Sequence, residues 1–403
     1  DCLLSRGLGD VYKRQILTYG VNQGVFIPLE DYFEKYCPNI SAILDLPGVR
    51  EKMTAPDGHI YTIPYVCADT TVGYSPYINT KWLENVGMSM PTTTDEFEAV
   101  LKAFKEQDAN GNGDASDEIP FSTDPNNKHI EAMAGYFGLP MNKLGIAIQN
   151  EKVVYGGVSD TYREFLSWFH KLYAEGLVDV ELYTQDSSTW EGKGNQDLYG
   201  VSIAYGSGEF TGIPAAEERG DFDSMPVLNT DKDGIWLRDT EGFSVYRTQA
   251  VITNKAEHPE IICRWFDNAF ALENGIGCNR GPVGVIVNKE DDGYHAIDTT
   301  TLSEEDQEKY SWGNLWPQSL PKYLPADFEF VEEHPMYDEK KATEEAYEAN
   351  LTKEIIPSYW IDLDKIDTFS DTNTAIKDFF EQQQAQFLSL IHISEPTRQE
   401  AIS

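Results

Sequence analysis

Residues 93–104 constrain this chain more than any other stretch, because they carry a complete helix start and a single apolar stripe. Thr93 and Glu96 are spaced as a capping box requires, and Phe97, Val100, Leu101 and Phe104 then recur at i, i+3, i+4 and i+7. Such a stripe has to be buried against another element, and the flanking sequence offers strands. Residues 59–65 alternate after the turn signal Pro56-Asp57-Gly58, and residues 72–79 follow as a second strand before a short helix at 81–86 closed by Gly87. The pattern recurs downstream. Tyr162, Phe165, Phe169, Leu172 and Tyr173 mark a helix ended by Gly176, and Ile262, Trp265, Phe266 and Ala269 mark another that starts at His258-Pro259. Acidic helical segments occupy 338–350 and 374–386. Short strands alternating with amphipathic helices predict an α/β fold.

The two ends stand apart from this pattern. A single DNA sequence can encode residues 5–15 on one strand and, in the same frame, residues 388–398 on the complementary strand. Two ends of one gene have no reason to be reverse complements, whereas a fragment flanked by the same sequencing adapter must be. Residues 1–15 and 388–403 are therefore expected to be translated adapter, and are left out of fold reasoning as targeting segments would be. The remaining segment, 16–387, is then open at both ends, with room upstream for a signal peptide and a lipid-attachment cysteine. It is longer than one core usually serves, so two lobes are expected.

The formal net charge is -37, and the two ends, with four basic and four acidic residues, contribute nothing to it. Such a field repels nucleic acid and anionic lipid, leaving neutral solutes and cations as small partners. Much of this acidity serves simply to solvate the surface. Cys2 falls in the adapter. Cys37, Cys67, Cys263 and Cys278 form no CxxC pair and read as buried thiols, with one disulfide allowed if the protein is exported. No apolar run approaches the ~20 residues that cross a bilayer.

Chemistry is most specific just after the capped helix, in Asp108-Ala109-Asn110-Gly111-Asn112-Gly113-Asp114-Ala115-Ser116-Asp117-Glu118. Oxygen side chains at positions 1, 3 and 5, Gly at 6 for the sharp turn and a carbonyl at 7 match the first half of an EF-hand calcium loop. Position 12 is Ile119 rather than glutamate, so Asp117 and Glu118 stand in. The expected ligands of a structural Ca2+ are Asp108, Asn110, Asn112, the Asp114 carbonyl, Asp117 and Glu118. The bland alternative is an Asn/Gly turn whose acids face water. No GxSxG, HExxH or P-loop motif occurs, and carboxylate pairs are too common in so acidic a chain to support a glycosidase. Aromatic residues outside helical stripes are plentiful: Tyr65, Tyr74, Tyr77, Trp190, Tyr205, Trp236, Trp312 and Trp316. Flat rings with polar neighbours suit sugar faces, whose hydroxyls seek Asp, Asn, Arg and Glu. Each ring taken alone also has a core reading.

At residues 36–46 (YCPNISAILDL), in TAPDGHIYTIPY and in the run INTKWLENVGMSMPTTTDEFEAVLKAFKEQDANGNGDASDEIP, the chain resembles extracellular solute-binding proteins of ABC importers, in the subgroup that binds oligosaccharides. GLVDVELYTQD and HPEIICRWFDNAF are similar to later family segments. The resemblance implies two α/β lobes around a cleft that closes on ligand, with the N-terminal part of the first lobe missing from this chain. It places 16–122 and 249–330 in lobe one, and 123–248 with the C-terminal helices, 331–387, in lobe two. It also implies calcium at the six loop positions named above, although this loop has one more residue before Asp117 than the commonest form. The function implied is a non-enzymatic, monomeric receptor, extracellular and lipid-anchored, that delivers an oligosaccharide to permease subunits. Tyr65, Asp69, Trp190, Tyr205, Glu209, Trp236, Arg280 and Trp316 are the candidate ligand contacts. Two alternatives stay open: a secreted glycoside-active enzyme, and the same fold carrying a peptide or other non-sugar solute.

Overall fold

A computed structural model describes residues 15–389, apart from 69–70, 125–128, 150, 213–219, 240–242, 311–313, 315–319, 326–327, 329, 332–334, 354 and 357–358. Its described strands are β1 (Thr62–Ala68), β2 (Ser75–Asn79), β3 (Ile119–Thr123), β4 (Ile146–Gln149), β5 (Lys152–Tyr155), β6 (Tyr199–Ala204), β7 (Phe222–Ser224), β8 (Phe243–Val251), β9 (Val287–Glu290), β10 (Gly293–Ala296) and β11 (Lys322–Leu324). The chain divides into two compact units. The first comprises Asp1–Asp69, Thr240–His334 and Pro357–Asn373, and the second Thr70–Asp239, Pro335–Ile356 and Thr374–Ser403.

In the first unit a three-stranded sheet runs in the order β11-β1-β8, with β1 parallel to β11 and antiparallel to β8. Pro64 lies inside the central strand, where a residue without an N–H is normally excluded. The ladder accommodates it with a register shift between Ile63 and Tyr65. That irregularity lets Ile63 and Val66 both enter one core, with Phe33, Ile40, Phe266 and Phe270, while Cys67 enters another with Ile276, Val287 and Leu324. Segment 357–373 is tied to this unit through Arg247. Its buried guanidinium donates to the Tyr359 carbonyl at 2.6 Å and lies 3.9 Å from the centre of the Trp360 ring.

The second unit is built on a four-stranded sheet, β3-β6-β2-β7, in which only the β3–β6 pair is parallel. Strands β2 and β6 are buried along their whole length, so both sheet faces are covered. Ile78 pairs with Val201 and both enter the large core with Phe97, Phe104, Phe121, Phe165 and Phe169. Tyr77 pairs with Ser202 and belongs to a smaller core with Trp190, Phe210 and Phe222. The helix Thr94–Glu106 has the expected capping box and buries the expected stripe. The helix Asp160–Ala174 buries Tyr162, Phe165, Phe169 and Leu172 and is followed by Gly176 at φ 67.

Three expectations differ from what is observed. Pro357–Asn373, expected in the second lobe with the rest of 331–387, belongs to the first unit. The first crossing between units falls at residue 69, not 122, because β2 pairs with β6 and β7 and carries the capped helix and the Asp108–Glu118 loop into the second unit. On the helix Pro259–Asp267 the buried face is Cys263 and Phe266, whereas Ile262 is 37% and Trp265 57% exposed. Asp267 decides this rotation: its carboxylate accepts from the Ile40 amide at 2.8 Å and from Asn39 Nδ2 at 2.9 Å. Among the described residues no helix is long and apolar enough to cross a membrane.

Candidate ligand platforms and cation loop

The first unit carries an aromatic row across its sheet. Lys322 on β11 pairs with Tyr65 on β1, which pairs with Tyr246 on β8. Directly opposed residues on one face of a sheet touch. Accordingly the Tyr65 and Tyr246 rings stack at 5.3 Å and 16°, and Lys322 Nζ lies 4.7 Å from the centre of the Tyr65 ring. Tyr246 is 44% exposed, so the stack presents a flat ring to solvent. Tyr65 Oη donates to Asn279 Oδ1 at 3.4 Å, next to half-buried Arg280 at the end of the helix Leu272–Arg280. Lys322 is almost fully buried, and burial pushes its ammonium down to about 8.

In the second unit the turn after β6 holds a different cluster. Ser207 donates through N and Oγ to the Glu339 carboxylate at 2.8 and 2.5 Å, which ties the turn to the helix Pro335–Tyr347. One residue along that helix, Lys340 donates to the carbonyls of Val72 and Gly73 at 3.1 and 2.5 Å and sits 4.0 Å from the centre of the Tyr205 ring. Burial pushes Lys340 down to about 8, partly offset by Glu339, Glu344, Glu209 and Asp239. Tyr74 packs edge-to-face with Tyr205 at 6.1 Å and stacks on His129 at 4.0 Å and 12°. His129 adopts a left-handed backbone (φ 48), its Nε2 is buried without a hydrogen-bond partner, and burial pushes its ring down to about 4. Glu209 is exposed and accepts from the Tyr205 amide at 2.9 Å. Desolvation by the protein around the carboxylate, with Asp124 nearby, nevertheless holds it above the usual carboxylate range.

Of the expected contacts, Tyr65 and Arg280 thus come together in one unit, and Tyr205 and Glu209 in the other. Trp190 and Trp236 are corrections, being 3% and 2% exposed. Trp190 Nε1 donates to Ser202 Oγ at 3.1 Å beneath the sheet. Trp236 lies between Tyr136 and Tyr347, its backbone pinned by bonds to Asn350 and Thr352. Asp69 and Trp316 lie outside the described residues. Tyr246, Lys322, His129 and Lys340 were missed by sequence reasoning. Only Tyr246 left a usable signal, the alternation of Phe243, Val245 and Arg247 around it.

The loop after the capped helix curls as its sequence demands. Gly111 and Gly113 adopt φ 74 and 93, conformations that favour glycine. Asp108 Oδ2 accepts from the Gly113 amide at 2.9 Å and Glu118 Oε1 from the Ala109 amide at 2.9 Å. Their other oxygens, Asp108 Oδ1 and Glu118 Oε2, are buried without a hydrogen-bond partner. Burial holds the Glu118 carboxyl above its usual range, with Asp117 adding to the shift. Asn110 and Asn112 donate to the two Asp117 oxygens at 3.1 and 2.7 Å, which brings positions 3, 5 and 10 of the loop together. The Asp114 carboxylate turns to Ser116, leaving its carbonyl as the group a cation could use. Buried carboxylate oxygens without donors are what a hard cation satisfies, so the residues fit Ca2+. A second group, unforeseen from the sequence, is Glu290, Asp292 and His295 on the β9–β10 hairpin, whose ligand atoms lie within 4.8 Å of one another.

No protein-family model matches the chain. Over 295 residues, 70% of this chain and 53% of the relative, it is 34% identical to the fructooligosaccharide ABC transporter substrate-binding protein FusA of Streptococcus pneumoniae. This chain is a homologue of ABC-transporter substrate-binding proteins. Lipoprotein LipO of Bacillus subtilis is 31% identical over 218 residues, 52% of this chain and 40% of LipO. The chain therefore spans about half the length of the curated relatives it matches. FusA in complex with kestose superposes with a TM-score of 0.81 at 24% identity, and an EF-hand mutant of FusA in complex with fructo-nystose with 0.80 at 25%. Each match covers 97% of this chain and 82% of FusA, which makes the fold the α/β fold of these binding proteins.

Proposed function

We propose that this chain belongs to a receptor that captures an oligosaccharide outside the cell and passes it to the permease of an ABC importer, without catalysing any reaction. The match to FusA over 295 residues carries this reading. The solvent-facing Tyr65–Tyr246 stack in one unit and the Tyr74–Tyr205 pair in the other support it, because CH-rich sugar faces bind such rings. Arg280 and Glu209 are the hydrogen-bonding candidates beside them, and Asp69 and Trp316 remain candidates from the sequence. The receptor would act as a monomer tethered by lipid to the outer face of the membrane, in keeping with the lipoprotein LipO among its relatives. A structural Ca2+ would be held by Asp108, Asn110, Asn112, the Asp114 carbonyl, Asp117 and Glu118, supplying positive charge to buried oxygens that have no donor.

The reading is tested by calorimetric titration of the purified protein with kestose, fructo-nystose and a panel of other glycans, followed by chromatography of the recovered sugar. Saturable binding with the glycan returned intact supports the receptor. Release of shortened glycan would establish an enzyme instead, and silence across the panel with binding of a peptide would move the assignment to a non-sugar solute.

A further inference from the structure

We infer that Cys37 and Cys263 are a disulfide-forming pair that staples the first unit. The structure holds both as free, fully buried thiols in one core, and the nearby Cys263 thiol together with burial holds the Cys37 thiol above its usual range. Residues 36–40 run alongside the helix Pro259–Asp267 in register. Arg264 lies 5.0 Å from the centre of the Tyr36 ring, and Asp267 accepts from Asn39 Nδ2 and the Ile40 amide at 2.9 and 2.8 Å. Cys37 follows Tyr36 and Cys263 precedes Arg264, so both cysteines adjoin the first of these contacts. Each backbone is fixed. The Cys37 amide donates to Phe33 O at 2.9 Å and its carbonyl accepts from Ser41 N at 2.9 Å, while Cys263 lies inside a helix with Pro259 at its first turn. A bond here would close a long loop between two segments far apart in sequence, the case in which a cross-link restricts the unfolded chain most.

The step is thiol–disulfide exchange during folding. One cysteine thiolate attacks an external disulfide and expels one thiolate; the second cysteine thiolate then attacks the mixed disulfide and expels the other. Two electrons pass from the pair to the external disulfide, which becomes two thiols by taking up the two protons released. An oxidising compartment supplies that partner, and to this extent the inference rests on the extracellular reading above.

The full chain is refolded in a buffer of reduced and oxidised glutathione, denatured, alkylated with N-ethylmaleimide and peptide-mapped. A linked peptide joining Cys37 to Cys263, with Tm falling by about 5 °C or more on adding dithiothreitol, is expected. The double variant Cys37→Ala, Cys263→Ala should lose that response to dithiothreitol. Alkylation of both residues, or a bond from either one to Cys2, Cys67 or Cys278, overturns the pairing. The wild-type map decides this even if the variant fails to fold. A pair bonded in buffer but reduced in protein recovered from its own cells would support the pairing and count against the extracellular reading.

Discussion

Tyr246 and Trp236 are both large aromatics, but their surroundings give them opposite mutational signatures. Tyr246 is 44% exposed on a sheet face, so Tyr246→Ala should leave stability within about 0.5 kcal/mol while weakening glycan binding about tenfold, read by chemical denaturation and calorimetry. Trp236 is enclosed by Tyr136 and Tyr347, and Trp236→Ala should cost about 3–5 kcal/mol of stability in the same denaturation experiment. Lys340 predicts a pH effect. Its folded value of about 8 lies below the usual 10.5, so between those limits the unfolded chain holds the proton and the folded protein has lost it. Stability contributed at this site therefore rises with pH across that window. The Tm difference between wild type and Lys340→Met should move in the wild type's favour from pH 8 to pH 10; a flat difference would contradict the assignment.

Among the elements, the Asp108–Glu118 loop carries the firmest expectation. Without a cation, the raised Glu118 value means that the folded protein holds this proton more tightly than the unfolded chain, so the site loses stability as pH rises through and above 4.5. Ca2+ should reverse that loss. Adding it to chelated protein at neutral pH should raise Tm by several degrees, and Asp108→Asn with Glu118→Gln should remove most of the gain. The loop and its helix were legible in the sequence because capping, stripe and glycine positions are local. Trp190 and Trp236 were not, because what covers them comes from elsewhere in the chain: Ser202 and Phe210 for one, Tyr347 to Thr352 for the other. The helix Pro259–Asp267 offered two overlapping apolar faces, and the choice fell to Asp267 bonding residues 39 and 40. The Lys322–Tyr65–Tyr246 row needs strand register, which no single strand specifies.

On the scale of the whole molecule, the alternation of strands and helices announced an α/β protein, while the division into units departs from the expected one at the first crossing and at Pro357–Asn373. The first crossing was missed because it depends on which sheet β2 joins. Each unit has its own sheet and its own cores, and the fold is shared with FusA at a TM-score of 0.81. The claim that unites these features is capture of an oligosaccharide, and direct titration of the calcium-loaded protein with kestose and fructo-nystose tests it most directly. Saturable binding of an intact glycan, lost in a Tyr65→Ala, Tyr205→Ala double variant that keeps its Tm, is the predicted result. A folded, calcium-loaded protein that binds no glycan, or that binds equally well without these two rings, would contradict it.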